Sequence, residues 1–221
     1  MYSIIRIVIG GLFLVFSIAV IKRSKTTRKK MFYGISVFIS IAIITVLAFF
    51  PFENLFMNFD SAKAAYEYYT FEKSDIVLTV EGNECDLVID RKNSAHYAYL
   101  MIPKTTNGWK IGVGTNDKTV FKTITNGIII RVDQYKNTND FFITVYNSQG
   151  EETVITDVCN TEFKEVKDTF DELGKSFVTY YAYLPKYNEQ YTLTVNGEVI
   201  TVNQGTADCY ETGLDNPQKG P

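Results

Sequence analysis

One nine-residue segment constrains this chain more than any other. Lys22-Arg23-Ser24-Lys25-Thr26-Thr27-Arg28-Lys29-Lys30 sets six positive charges between two apolar runs. Ser3 to Ile21 is a 19-residue run whose only charge is Arg6, and Met31 to Phe50 is a 20-residue run with none. At about 1.5 Å rise per residue, either run as a helix can cross a hydrocarbon core of about 30 Å. Short loops this basic stay on the cytoplasmic side. The expectation is a two-helix transmembrane hairpin (1–50) with spans over 3–21 and 31–50. Lys22, Arg23, Lys25, Arg28, Lys29 and Lys30 determine its topology, placing the N-terminus and the C-terminal region outside the cytoplasm of a multi-pass cell-membrane protein. A cleavable signal peptide carries its basic residues before the apolar region and ends on an A-x-A-like site, and neither holds here.

Arg6 lies near the outer end of its run, so its long stem is expected to carry the guanidinium to the interface. Gly10 and Ser17 on the first helix, and Gly34, Ser36 and Ser40 on the second, offer small faces for the two helices to pack on each other. Neither run contains Asp, Glu or His, which argues against a proton or ion pathway built by this chain alone.

The net charge of −3 conceals a division. Residues 1–50 carry seven basic and no acidic side chains, whereas residues 51–221 carry 15 of the 22 basic and all 25 acidic ones, a net −10. An acidic domain of that kind repels phosphate backbones, so nucleic acid is not an expected partner.

Beyond Pro51, Phe52, Phe56 and Phe59 read as an outer-interface stretch. Asp60 or Ser61 then caps a short helix over 62–69, packed through Tyr66, Tyr69 and Phe71. From Asp75 the period becomes two: Ile76, Leu78 and Val80 alternate, the chain turns at Gly82-Asn83, and Cys85, Leu87 and Ile89 alternate again. Further strands are expected over 95–102, 109–113, 118–124, 127–133, 141–147, 151–158, 176–184, 190–195 and 198–203. Asn107-Gly108, Asn126-Gly127 and Asn196-Gly197 supply turns that need positive φ. Around Phe163 to Leu173 a short amphipathic helix competes with a loop. The fold class is therefore the helical hairpin plus a mainly-β extracytoplasmic region with one short helix. Residues 51–114 form that helix and an antiparallel meander, 115–203 a β-sandwich of broadly immunoglobulin-like shape, and 204–221 a flexible tail. Residues 51–203 can be one domain or two, divided near Gly114-Thr115-Asn116.

The blocks FDSAKAAYEYY, DIVLTVEGNECDLVID and NGWKIG, over roughly 59–112, resemble membrane-anchored proteins of unknown function from Gram-positive bacteria. In that group a short helix precedes a hairpin and a meander. The resemblance implies architecture and brings no catalytic residues with it.

Candidate chemistry is sparse. His96 is the sole histidine, on a strand face with Ala98, Leu100 and Ile102, and reads as structural. Cys85, Cys159 and Cys209 have no C-x-x-C or C-x-x-H spacing, which argues against zinc. Cys85 reads as a small buried hydrophobe, while Cys159 and Cys209 can form a disulfide outside the cell. Glu81, Glu84, Asp86 and Asp90 around the first hairpin read as a solvated face. Asp133, Asn137, Asn139 and Asp140 lack the spacing of a calcium loop and read as turn formers. Tyr181 and Tyr183, with Phe177, share one strand face, and Tyr97 and Tyr99 share another. These four tyrosines are the candidate ligand-binding residues, against the plainer reading that strands favour aromatics and bury them.

No cofactor, metal or catalytic set is expected. The reading is a membrane-anchored extracytoplasmic binding or scaffolding protein, not an enzyme, and an accessory subunit of a membrane or envelope complex. Its expected partners are the lipid bilayer and another membrane or envelope protein. Two alternatives stay open: a cell-wall glycan or peptide binder using exposed tyrosines, and an envelope hydrolase using carboxylates or a Cys85/His96 pair.

Overall fold

A computed structural model of the chain describes residues 2–23, 25, 27–49, 51–70, 74–93, 96–112, 117–147, 153–170, 175–185, 187 and 191–203. Two helices come first, α1 (Tyr2–Arg23) and α2 (Lys29–Phe49). Both are long and apolar enough to cross a membrane. Their large side chains point outward: Leu12, Val15, Phe16 and Phe38 are each about two-thirds exposed or more. A core helix of a water-soluble domain would bury such residues. The helices pack on each other where Gly10 faces α2. A Cβ there would collide with the Ile44 side chain, so glycine lets the helices approach this closely. Ser36 and Ser40 are buried at the same contact, and the Ser40 hydroxyl donates to the Ser36 carbonyl at 2.9 Å.

A single 3-10 turn, Phe52–Leu55, leads to α3 (Ala62–Thr70). Ser61 caps α3 by accepting from the Ala64 N–H at 3.1 Å, as its hydroxyl chemistry predicts. Ala62, Ala65 and Tyr66 form the buried side of α3 with Tyr69 beside them, and Phe71 lies outside the described residues.

Twelve strands follow among the described residues: β1 (Ile76–Glu81), β2 (Cys85–Asn93), β3 (His96–Thr105), β4 (Gly108–Trp109), β5 (Asp117–Thr125), β6 (Ile128–Tyr135), β7 (Phe141–Asn147), β8 (Ile155–Asp157), β9 (Lys164–Phe170), β10 (Lys175–Leu184), β11 (Tyr191–Val195) and β12 (Glu198–Val202). They make three antiparallel sheets, ordered β1-β2-β3-β4, β5-β6-β7-β10-β9 and β12-β11-β8. Asn126-Gly127 and Asn196-Gly197 close two-residue hairpins with all four φ values between 49° and 84°, the geometry that asparagine and glycine tolerate.

Residue alternation decides the layering. On β2, Cys85, Leu87 and Ile89 face the five-stranded sheet, and Val88 faces α3. On β6, Ile128, Ile130 and Val132 face the three-stranded sheet, while Tyr135 faces the first sheet. The order of layers is α3, first sheet, five-stranded sheet, three-stranded sheet. The five-stranded sheet is thus covered on both faces.

Two local expectations are corrected. Within the range Phe163 to Leu173, where a helix competes with a loop, Lys164–Phe170 is an edge strand, β9, paired with β10 from Lys164↔Tyr181 to Phe170↔Lys175, and 171–173 lie outside the described residues. Pairing to a ready strand edge supplies more backbone hydrogen bonds than an isolated three-turn helix could hold in water. The strand expected over 109–113 is confined to Gly108–Trp109 among the described residues: the Lys110 N–H still reaches the Pro103 carbonyl, but both backbone groups of Ile111 bond to the Asn54 side chain after α2. The division near Gly114-Thr115-Asn116 and the tail from Gln204 lie outside the described residues.

Candidate functional site

The densest polar arrangement sits where the helices meet the β region. Arg6 is 2% exposed, its guanidinium enclosed by protein groups and not open to solvent. Its Nη1 and Nη2 donate to Glu53 Oε1 and Oε2 at 2.8 and 2.7 Å, and its Nε donates to the Leu47 carbonyl at 2.6 Å. The Phe52 ring lies 5.4 Å from the guanidinium carbon, and the Tyr68 hydroxyl of α3 donates to Glu53 Oε1 at 3.4 Å. The fork of arginine matches a carboxylate in two parallel bonds, which fixes orientation as well as charge. Burial lifts the Tyr68 phenol above its ordinary pKa, and the Glu53 carboxylate adds to that.

The chain around this pair is stitched to the first sheet. The Asn54 side chain accepts from the Ile111 N–H at 2.8 Å and donates to the Ile111 carbonyl at 3.0 Å. The Lys110 ammonium donates to the Asn54 and Met57 carbonyls at 2.6 and 2.7 Å, and Phe59 pairs with Trp109. The six basic topology residues occupy the opposite end of the hairpin. Lys22, Arg23, Lys25, Arg28 and Lys30 are exposed, and Lys29 donates to the Lys22 carbonyl at 3.4 Å.

The four candidate tyrosines gather along the seam between the first and five-stranded sheets. Tyr181 is 6% exposed, with its pKa pushed up to about 12 by burial and then by Tyr97 and Tyr99 nearby. Tyr97 packs against the same cluster. Tyr99 is 37% exposed, with the Arg131 guanidinium 4.7 Å from its ring centre. Arg131 is held in turn by Asp133, with Nε at 2.8 and 2.7 Å from the two carboxylate oxygens, and Thr119 donates to Asp133 at 2.7 Å. Tyr183 packs against that cluster as well and donates to Asp140 at 2.8 Å. Of the four, Tyr99 keeps the most open ring.

The acidic hairpin is a solvated face only in part: Glu81 and Glu84 are exposed, and the other two carboxylates are not. Asp86 and Asp90 are 2% and 1% exposed. Asp86 accepts from the Trp109 indole at 2.6 Å, and Asp90 accepts from the Tyr66 hydroxyl at 3.0 Å and pairs with Lys92 at 2.8 Å. Both lie on the α3 side of β2, where a second covered face demanded polar partners. Asp140 is likewise buried: its Oδ2 accepts from the Glu84 and Cys85 N–H groups at 2.6 and 3.0 Å. It therefore joins the β1–β2 turn to β7.

Cys85 is buried, as the alternation predicts, and burial and the Asp140 charge push its thiol far up, away from the reactive thiolate. Cys85 pairs in register with Pro103 and His96 with Asn93, so the two sit at opposite ends of the β2–β3 hairpin. The His96 side chain lies outside the described residues. Cys159 is exposed beside β8, and Cys209 lies outside the described residues, as does any pairing between them. Among the described residues no three His, Cys, Asp or Glu side chains are grouped to hold a metal.

The sequence reading missed Glu53, Asn54, Lys110, Asp140 and Arg131 as structural partners. One signal was available for the first: a lone arginine at the end of one apolar run and a glutamate just beyond the end of the other. No family model matches the chain, and no curated protein or solved structure matches it either.

Proposed function

We propose that this chain is a membrane-anchored binding or scaffolding protein, an accessory subunit that holds a stack of β-sheets at a fixed attitude outside the cell membrane. The observation that carries this reading is the Arg6–Glu53 pair. It ties two outward-apolar helices to the base of the β region through a buried two-bond contact. An anchor alone needs only a tether, whereas a rigid joint suits a module that must present a surface in register with a neighbouring complex. The basic loop is read as cytoplasmic, which sets the acidic β region, a β-sandwich with a meander beneath it, outside.

Crosslinking of the full chain in its own membrane, followed by mild detergent extraction, tests the role. Recovery with a reproducible membrane or envelope protein is the expected result, and a strictly solitary monomer overturns it. Orientation is tested separately by protease added to intact, wall-stripped cells. Residues beyond 51 should be digested, and full protection reverses the assignment.

A second reading is favoured by the exposure of Tyr99 beside Arg131: a glycan or peptide stacking on that ring. Retention on wall glycan that is unchanged by Tyr99→Ala removes it.

A further inference from the structure

We propose that the exposed pair Leu55 and Phe56 is a lipid-contact seat, through which the base of the β region rests on the bilayer at the boundary between acyl chains and headgroups. The proposal rests on the reading of α1 and α2 as membrane spans. Leu55 and Phe56 are 77% and 66% exposed, the former the highest value among the exposed large apolar residues described. The Phe52 ring extends this surface, 5.9 Å from that of Phe56.

Arg6 fixes the level at which the pair sits. Its guanidinium holds the Leu47 carbonyl of α2 and the Glu53 carboxylate together, so the 3-10 turn is folded back beside the last turns of the span. Leu55 and Phe56 follow Glu53 by two and three residues, at most about 11 Å of extended chain. From Arg6 to Arg23 is about 26 Å of helix, close to the hydrocarbon thickness of about 30 Å. With the basic loop at one boundary, Arg6 and the turn beside it therefore mark the other.

The turn is also fixed in place. The Asn54 amide is bonded at both ends to Ile111, and Lys110 holds the carbonyls on either side of the pair. Apolar side chains on a backbone pinned beside the last turns of a span meet lipid as the span's own outward side chains do.

The test uses the full chain reconstituted into phosphatidylcholine vesicles whose acyl chains are brominated either near the headgroup or near the bilayer centre. Trp109 is the only native tryptophan and serves as a constant background. Three reporters are compared: Phe56→Trp, Phe16→Trp in mid-span, and Val199→Trp on the far sheet. The added emission of Phe56→Trp is expected to be quenched at least twofold more than that of Val199→Trp, and more by shallow than by deep bromines. Equal quenching at 56 and 199, with Phe16→Trp quenched by deep bromines, overturns the seat and leaves the spans intact. Blue-shifted emission at 56 without bromine quenching assigns the pair to protein contact and also overturns it. Absence of quenching at Phe16→Trp overturns the spans themselves, and the seat with them.

Discussion

A guanidinium with almost no exposure, at the end of an apolar helix, must be matched by a charge or it prevents the helix from settling there. Glu53 supplies that charge, and removing either partner leaves the other's charge buried without its counter-charge. Arg6→Ala or Glu53→Ala should each cost about 3–5 kcal/mol, seen as a lower midpoint in thermal scans of the detergent-solubilised chain and faster proteolysis near residue 50. Replacing both with apolar residues, Arg6→Met with Glu53→Leu, should recover most of the midpoint while loosening the joint. Asp157 gives a second prediction at this scale. Burial works against its ionisation, but hydrogen bonds from the Thr161 and Tyr191 hydroxyls and two backbone N–H groups outweigh that and hold its pKa below the ordinary value. A lowered carboxylate contributes stability above its unfolded pKa of about 3.9, and the contribution is lost as pH falls through the folded value. The acid-unfolding limb should therefore steepen below about pH 4, and Asp157→Asn should flatten it. The sequence showed neither pairing, because both depend on contacts across long stretches of chain, 47 residues for Arg6 and Glu53 and 34 for Tyr191 and Asp157.

Among the elements, those with local signals were legible. The Ser61 cap, the alternation of β1 and β2 and the two Asn-Gly turns follow from side-chain chemistry within a few residues. Gly197, at φ 84°, should lose about 1 kcal/mol on change to alanine, measured by denaturant unfolding. β9 was not legible: Phe163, Val166 and Phe170 carry a helix-like spacing, and only the free edge of β10 decides the outcome. The helix pair gives a sharper test. Gly10→Ala should lower stability, since its methyl would collide with the Ile44 side chain. Combining it with Ile44→Ala should cost less than the sum of the two single changes, a coupling that a double-mutant cycle would read.

Over the whole molecule, the layers are held by buried polar ties as well as by apolar packing. Asp140 accepts from two backbone N–H groups of the first sheet and from Tyr183 of the second. Asp140→Ala should cost at least about 2 kcal/mol and should open Cys85 to maleimide in a Cys159→Ser, Cys209→Ser background. The parent of that variant should stay unlabelled at neutral pH. This layering was the least legible part of the sequence. Asp86 and Asp90 give β2 the alternation of a strand with one wet face, and nothing nearby announces that α3 covers it. The tyrosines are ambiguous in the same way: Tyr181 serves the seam between sheets, and its spacing suits a surface platform equally well.

The double covering of the five-stranded sheet also has a consequence in time. One face of β6 and β7 is closed by the hairpin Tyr191–Val202, and 43 residues separate Asn147 from Tyr191. At a synthesis rate of about 5–20 residues per second, those strands wait for several seconds with Ile130, Val132, Ile143 and Val145 uncovered. A chain that stalls or is cut before Tyr191 keeps that face open for good, so the last hairpin acts as a checkpoint on completeness. Nascent chains arrested at residue 190 should bind a holdase chaperone, and those arrested past residue 203 should release it once the hairpin has emerged.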